Sequence, residues 1–309
     1  MLMLYVGPLW NGSTALQRMQ AFSAIPELKV IPLDSEEGGG RGYSFLDRVR
    51  HKLRWPADHH HLNQRMLAAV REHVPGVVFI DWTRLFPRRT LQRVRALGAL
   101  AVYYCNDDVS QPHNSSRQLE SCDREWDIFF TTKTFNVPEL RARGVRRPVL
   151  IGNAYDPELH RPMTAGEVGP EFEKFDAVFV GTYEPERAAS IQRLAEAGIT
   201  TVIYGNGWKR ASLHTNITLR PPKYAAEYSA ALHTGKLALG FLRKINRDRI
   251  TQRSIEVAAA QRPMLAEKTD EHDEHFVDGR EYVSFAGDDE LLQRCRDLLQ
   301  DSARRLTMA

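Results

Sequence analysis

What most constrains this chain is an alternation, run through twice, of short apolar stretches with longer amphipathic ones. Leu2–Val6 reads as a strand closed by Gly7-Pro8 and Gly12-Ser13-Thr14. Ser13 or Thr14 then caps a helix to about Ala24 that carries Leu16, Met19 and Phe22 on one face. Next come the strand Leu28–Leu33, a Gly-rich loop around Gly38-Gly39-Gly40, and the helix Leu62–His73, which Pro75-Gly76 ends. Val77–Asp81, the basic helix Arg88–Leu97, Ala99–Cys105, Asp127–Thr131, the helix Val137–Arg143 and Pro148–Gly152 complete the first half. Alternation of this kind builds parallel sheets covered by helices on both faces.

Between Asn153 and Lys174 the periodicity lapses, and Pro157, Pro162, Gly166, Gly169 and Pro170 mark an expected inter-domain linker. The alternation then resumes with Ala177–Val180, Glu186–Ala197, Thr200–Tyr204, Tyr224–Leu232, Lys236–Leu242, Thr251–Ala260, Pro263–Ala266, Glu281–Ser284 and Asp289–Leu299. The expected fold is therefore α/β, two doubly wound Rossmann-like domains facing across a cleft, over residues 1–160 and 175–309. A chain of 309 residues suits two such domains.

With 42% apolar and 26% charged residues the chain is globular rather than disordered. Lys+Arg minus Asp+Glu is 42 − 39 = +3, which calls for no nucleic-acid partner. No apolar run reaches the ~20 residues of a membrane span, and Met1–Gly7 lacks the basic flank of a secretion signal. Cys105, Cys122 and Cys295 are scattered, as expected in a reducing cytoplasm.

In parallel sheets, ligands collect beyond the carboxyl ends of strands. That singles out Gly7–Thr14, Asn106–Ser110, Gly181–Glu186, Gly205–Trp208 and Arg243–Thr251. The segment from Arg243 to Glu256 is dense in cations (Arg243, Lys244, Arg247, Arg249, Arg253) and leads from a strand into a helix. Such cations suit a diphosphate, and a carboxylate further on suits ribose hydroxyls; a solvated charged loop is the alternative.

Resemblance sharpens this reading. Glu256-Val257-Ala258-Ala259-Ala260-Gln261-Arg262-Pro263-Met264-Leu265 resembles the Glu-Ala-Met-Ala-Cys-Gly-x-Pro-Val-Ile stretch of GT-B-fold glycosyltransferases, and Asp248 with Glu256 has the spacing of their acidic pair. Val180-Gly181-Thr182-Tyr183-Glu184-Pro185-Glu186-Arg187 is similar to their Val-Gly-Arg-Leu-x-Pro-Glu-Lys, and Phe276–Val283 with Asp288–Leu299 to their closing elements. The spore-maturation CgeB-type branch is the nearest. The resemblance covers about Ala177–Leu299, and the first half more loosely.

It implies a metal-independent enzyme without cofactor that moves a sugar from a nucleoside diphosphate to a hydroxyl acceptor on a glycan or glycoconjugate. Glu256 would hold the ribose, Asp248 would lie near the sugar, and Arg187 would bind the diphosphate together with Arg243, Lys244 and Arg253. Gly181, Tyr183 and Gly205 would line the nucleotide. The chain departs from the pattern at Thr182, at Gln261, and at Glu267–Glu271 in place of a Gly-Gly loop. The acidic pair suits a retaining outcome, whereas inversion would need a base from the first domain, with Asp107 or Asp108 as candidates. An epimerase or hydrolase of nucleotide sugars, or a non-catalytic binding protein, are the rival readings.

Gly7, Gly12, Ser13 and Asn106 are the expected acceptor-side residues, with Asx turns or caps as the structural alternative for the polar ones. Arg88, Arg89, Arg93 and Arg95 form either a solvated helix or a peripheral membrane contact. Three adjacent histidines, His59–His61, cannot converge on one metal ion and read as a loop. Glu271–His275 reads as an exposed helical turn, and Cys105 as a buried thiol.

Overall fold

A computed structural model describes residues 1–36 and 44–308, so the Gly38–Gly40 loop lies outside the described residues. The chain divides into two compact units, Met1–Gly152 and Asn153–Ala309.

The first unit is a parallel six-stranded sheet in the order β2-β1-β3-β4-β5-β6. Its strands are β1 (Leu2–Gly7), β2 (Lys29–Asp34), β3 (Val77–Asp81), β4 (Leu100–Cys105), β5 (Ile128–Thr131) and β6 (Pro148–Leu150). The helices are α1 (Thr14–Ser23), α2 (Phe45–Lys52), α3 (Leu62–His73), α4 (Arg88–Ala96), α5 (Arg117–Glu120) and α6 (Asn136–Arg143). Strands β3 and β4 are buried almost throughout, as helices on both sheet faces require.

The second unit repeats the plan in the order β12-β11-β10-β7-β8-β9. Here the elements are α7 (Ala165–Val168), β7 (Phe175–Val180), α8 (Pro185–Glu196), β8 (Thr201–Tyr204), β9 (Ile217–Arg220), α9 (Ala226–Leu232), β10 (Gly235–Gly240), α10 (Gln252–Ala259), β11 (Met264–Glu267), α11 (Asp270–His275), β12 (Val283–Phe285), α12 (Asp288–Gln300) and α13 (Ser302–Met308). The order in which strands are added reverses across β1/β3 in one sheet and across β7/β10 in the other. Each reversal leaves a crevice at the strands' carboxyl ends.

The stretch expected as a linker holds no strand, yet it packs onto the second unit. Ser229 Oγ donates to the Leu159 carbonyl (2.6 Å), Met163 N donates to His233 Nε2 (3.0 Å), and His160 is buried. Proline and glycine exclude regular elements there without excluding contact.

Candidate functional site

The crevice of the second unit is built on glycines that permit two loops to touch. Trp208 Nε1 donates to the Gly181 carbonyl (2.8 Å), Gly181 N donates to Tyr204 O (2.8 Å), and Tyr183 N donates to Asn206 O (2.9 Å). A Cβ on Gly205 would lie 1.9 Å from the Gly181 oxygen, so no side chain fits. The loop after β7 is thereby locked to the loop after β8, and neither can drift from what binds above them.

Arg187 stands in the first turn of α8, at the end of the stretch Val180–Arg187. It is only 4% exposed. Its Nη1 donates to Thr182 O (3.2 Å), whereas Nε and Nη2 have no hydrogen-bond partner; the Glu184 carboxylate stays 3.6 Å away. Burial pushes the guanidinium pKa down to about 10; Arg253 and Arg243 add to the fall, and Glu184 and Glu267 oppose it. Arg253, on α10, is the second member: its Nη1 would meet a Gly181 Cβ at 3.2 Å, and its Nε is buried without a partner. Both guanidinium groups sit over the Phe179 ring, at 5.6 and 6.0 Å from its centroid. A buried and a half-buried cation with unused donors, in one crevice, form a site short of an anion.

Three other cations of this segment are engaged with carboxylates. Arg243 Nε donates to Glu184 Oε1 (3.0 Å), Lys244 pairs with Glu186 (2.7 Å), and Arg249 pairs with Asp270 (2.8 Å). Asp248 closes its own loop: its Oδ2 accepts from Arg243 N (3.4 Å) and its N donates to Arg243 O (3.2 Å). Beside Arg187 opens a recess of about 510 Å³, whose lining includes Lys244, Phe241, Phe285, Gly287 and Glu267. Burial raises the Glu267 carboxyl above the usual range, although it accepts from Leu242 N (2.5 Å).

Glu256 lies one turn along α10 from Arg253 and is buried. Its Oε1 accepts from Gln252 Nε2 (2.9 Å), and His160 Nε2 approaches to 3.6 Å. Asp156 N donates to His160 Nδ1 (2.9 Å), which leaves Nε2 to carry the proton that faces Glu256. The Tyr228 hydroxyl is buried facing Glu256 and Arg253; burial and Glu256 hold its pKa well above the ordinary value. The sequence reading missed His160 and Tyr228; His160 falls in the loosely resembling first half, and nothing in the sequence marked Tyr228.

One expectation holds only in part. Glu271–His275 is helical with Asp273, Glu274 and His275 exposed, but Glu271 and His272 are buried. Thr269 Oγ1 caps α11 by accepting from His272 N (3.1 Å), which turns Glu271 and His272 inward. His272 Nδ1–H donates to Glu267 O (2.8 Å), and its Nε2 accepts from Ser254 Oγ (2.8 Å), tying the end of β11 to α10.

In the first unit the residues expected on the acceptor side are structural in their contacts. Ser13 caps α1, with Oγ accepting from Leu16 N (3.1 Å) and donating to Pro8 O (2.6 Å). Gly12 has φ +98°, and a Cβ on Gly7 would meet the Asp81 Cβ at 3.0 Å. The Asn106 carbonyl accepts from Thr132 Oγ1 (3.1 Å). Asp108, named as a base, is fully buried: its Oδ1 accepts from Ser110 N (3.1 Å) and Asn136 Nδ2 (2.8 Å). An Asx turn, not a base facing substrate, is what this geometry makes. Asp107 accepts from Trp82 Nε1 (2.8 Å). Of the basic helix, Arg88 and Arg95 pair with Glu125 (2.7 and 3.5 Å), so half of the expected cationic face is neutralised. His59 binds Asp47 (2.7 Å), and Cys105 is buried.

Comparison with known proteins agrees with this architecture. Across its whole length the chain superimposes on sucrose-phosphate synthase from Thermosynechococcus elongatus, with a TM-score of 0.66 at 11% identity and 92% of that chain covered. It likewise superimposes on Anabaena Alr3699/HepE in complex with UDP and glucose (TM-score 0.62, 12% identity, 92% of that chain). The fold is GT-B. UDP-GlcNAc 2-epimerase from Neisseria meningitidis bound to UDP-GlcNAc shares it too (TM-score 0.61, 10% identity, 100% of this chain and 94% of that one). A family model described as glycosyl transferase-like matches residues 187–309, starting at Arg187 itself. No curated protein matches the chain significantly in sequence. Transferases and epimerases share the GT-B fold, so the site has to separate the activities.

Proposed function

We propose that this protein is a glycosyltransferase that passes a sugar from a nucleoside diphosphate, UDP by the ligands named for its structural neighbours, to a hydroxyl acceptor in the cytoplasm. The observation that carries the reading is the pair Arg187 and Arg253: Arg187 buried and Arg253 half-buried, each with guanidinium nitrogens that lack a hydrogen-bond partner, at the crevice where the strand order reverses. A diphosphate would take up their unused donors. As the bond to the sugar breaks, charge grows on that diphosphate, and fixed guanidinium groups in a dry site stabilise it without reorganising. That role needs no metal ion. Glu256 would grip the pentose, with His160 holding its carboxylate. Asp248 would lie near the sugar and, with retention, on the reacting face. The acceptor hydroxyl would come from the first unit, and correct positioning there is worth up to ~7–11 kcal/mol.

A second reading, an epimerase or hydrolase of nucleotide sugars, draws on Glu267. This carboxyl, raised by burial and lining the recess beside Arg187, has the character of a proton donor. Thermal-shift titration with UDP, GDP, dTDP, ADP and CMP tests the shared premise. One of the diphosphates is expected to stabilise the fold, by about 2.7 kcal/mol at a hundred times its dissociation constant. Glu256→Ala should remove most of that shift, and an unchanged shift would refute the ribose assignment. Labelled sugar nucleotide with and without acceptor then separates transfer from hydrolysis.

A further inference from the structure

Helix α2 is amphipathic the wrong way round for a surface helix. At 100° per residue, Phe45, Leu46, Val49 and Leu53 fall within a sector of about 100°. Such a stripe ordinarily packs on the core. Here none of the helix is buried, and Phe45 and Leu46 are 75% and 64% exposed. The polar pole is the anchored one. Asp47 closes a capping box with Ser44 and binds His59 Nε2 (2.7 Å), while Arg54, just past the helix, turns back in the left-handed region (φ +57°) to pair with Glu120. Trp55, also exposed, is held beside the stripe by its N–H to Arg50 O (2.9 Å). Arg50 flanks the stripe on one side and Arg48 and Lys52 on the other; none of the three forms a side-chain ion pair among the described residues.

We propose that this face, Phe45 to Trp55, docks on an anionic lipid surface. An apolar stripe edged by long cationic side chains fits a bilayer interface, where the rings and Leu side chains enter the acyl boundary and the cations reach back to headgroup phosphates. Charge complementarity selects this occupant over a second copy of the chain, because two such faces would bring Arg48, Arg50 and Lys52 against their equals. Among the described residues no helix is long and apolar enough to cross a membrane, and this mode needs none. The contact lies on α2 rather than on the basic helix α4, where Arg88 and Arg95 pair with Glu125 and Asp127.

Co-sedimentation of the full chain with phosphatidylcholine vesicles, with and without phosphatidylglycerol, is the test. Binding is expected only with the anionic lipid, weakening as salt rises. The double variant Leu46→Glu/Val49→Glu should bind about tenfold more weakly or worse, and Arg50→Glu/Lys52→Glu should weaken binding by a similar factor. Because α2 buries nothing, both variants should melt as the wild type does and keep any nucleotide-induced shift. The proposal is overturned by any of three results: no pelleting with anionic vesicles, pelleting unaffected by these substitutions, or a concentration-dependent dimer in analytical ultracentrifugation that the same substitutions abolish.

Discussion

The two crevices, β1/β3 in the first unit and β7/β10 in the second, share one topology and differ in how their charges are satisfied. In the first, Asp81 is fully buried, accepts from Arg18 Nε (2.8 Å) and Nη2 (3.1 Å), and also accepts from the Tyr5 hydroxyl. Arg18 stacks on Tyr104 at 4.3 Å. In the second, Arg187 is also buried but leaves Nε and Nη2 without a hydrogen bond, Glu184 staying 3.6 Å from Nη2, with Arg253 a second cation beside it. A saturated buried pair holds a fold together, whereas an unsaturated one of a single sign holds a place for a ligand. On the proposed function, this difference favours the second crevice for the nucleotide, since topology offers both crevices equally.

The contrast breaks first at Asp81. Asp81→Ala leaves Arg18 and the Tyr5 hydroxyl without their acceptor, and should cost about 3–5 kcal/mol in urea denaturation. A loss below 1 kcal/mol would mean that the first crevice is not held by this pair.

A smaller effect comes with acid. Burial lowers the pKa of His272 and of His233 below the ordinary 6.5. The unfolded chain therefore takes up protons before the native one does. Stability is complete above pH 6.5 and falls as pH drops toward the native values, by at most about 1.4 kcal/mol per pH unit for each group. His272→Gln, which can keep one of the two hydrogen bonds, should flatten that slope by about half. An unaltered slope would remove His272 from the account.

Much of the fold was legible because short apolar runs and amphipathic helical stretches ended in Gly, Pro or Asn-Asp: the sequence reading and the structure share the bounds Leu62–His73 and Val77–Asp81. Strand β9 was not read, since Ile217–Arg220 is four residues long and buries only Ile217 fully. Helix α2 escaped for the opposite reason, as its stripe serves no core. At the site, Arg187 and Glu256 were found by resemblance to a motif, but whether a guanidinium is paired depends on neighbours dozens of residues away. His160 lies 96 residues before Glu256, and no spacing rule connects them. Asp108 looked available because a run of Asn and Asp at a strand end reads alike whether it faces solvent or caps a turn.

The most direct measurement is calorimetric titration of UDP into wild type and Arg187→Met, paired with urea denaturation of both ligand-free proteins. The account predicts at least about a tenfold loss of affinity in Arg187→Met, with ligand-free stability unchanged or raised by about 1 kcal/mol, since an apolar chain replaces a desolvated and poorly paired cation. Equal affinities, or a destabilisation as large as that of Asp81→Ala, would contradict it: Arg187 would then be a structural cation, and the second crevice no different from the first.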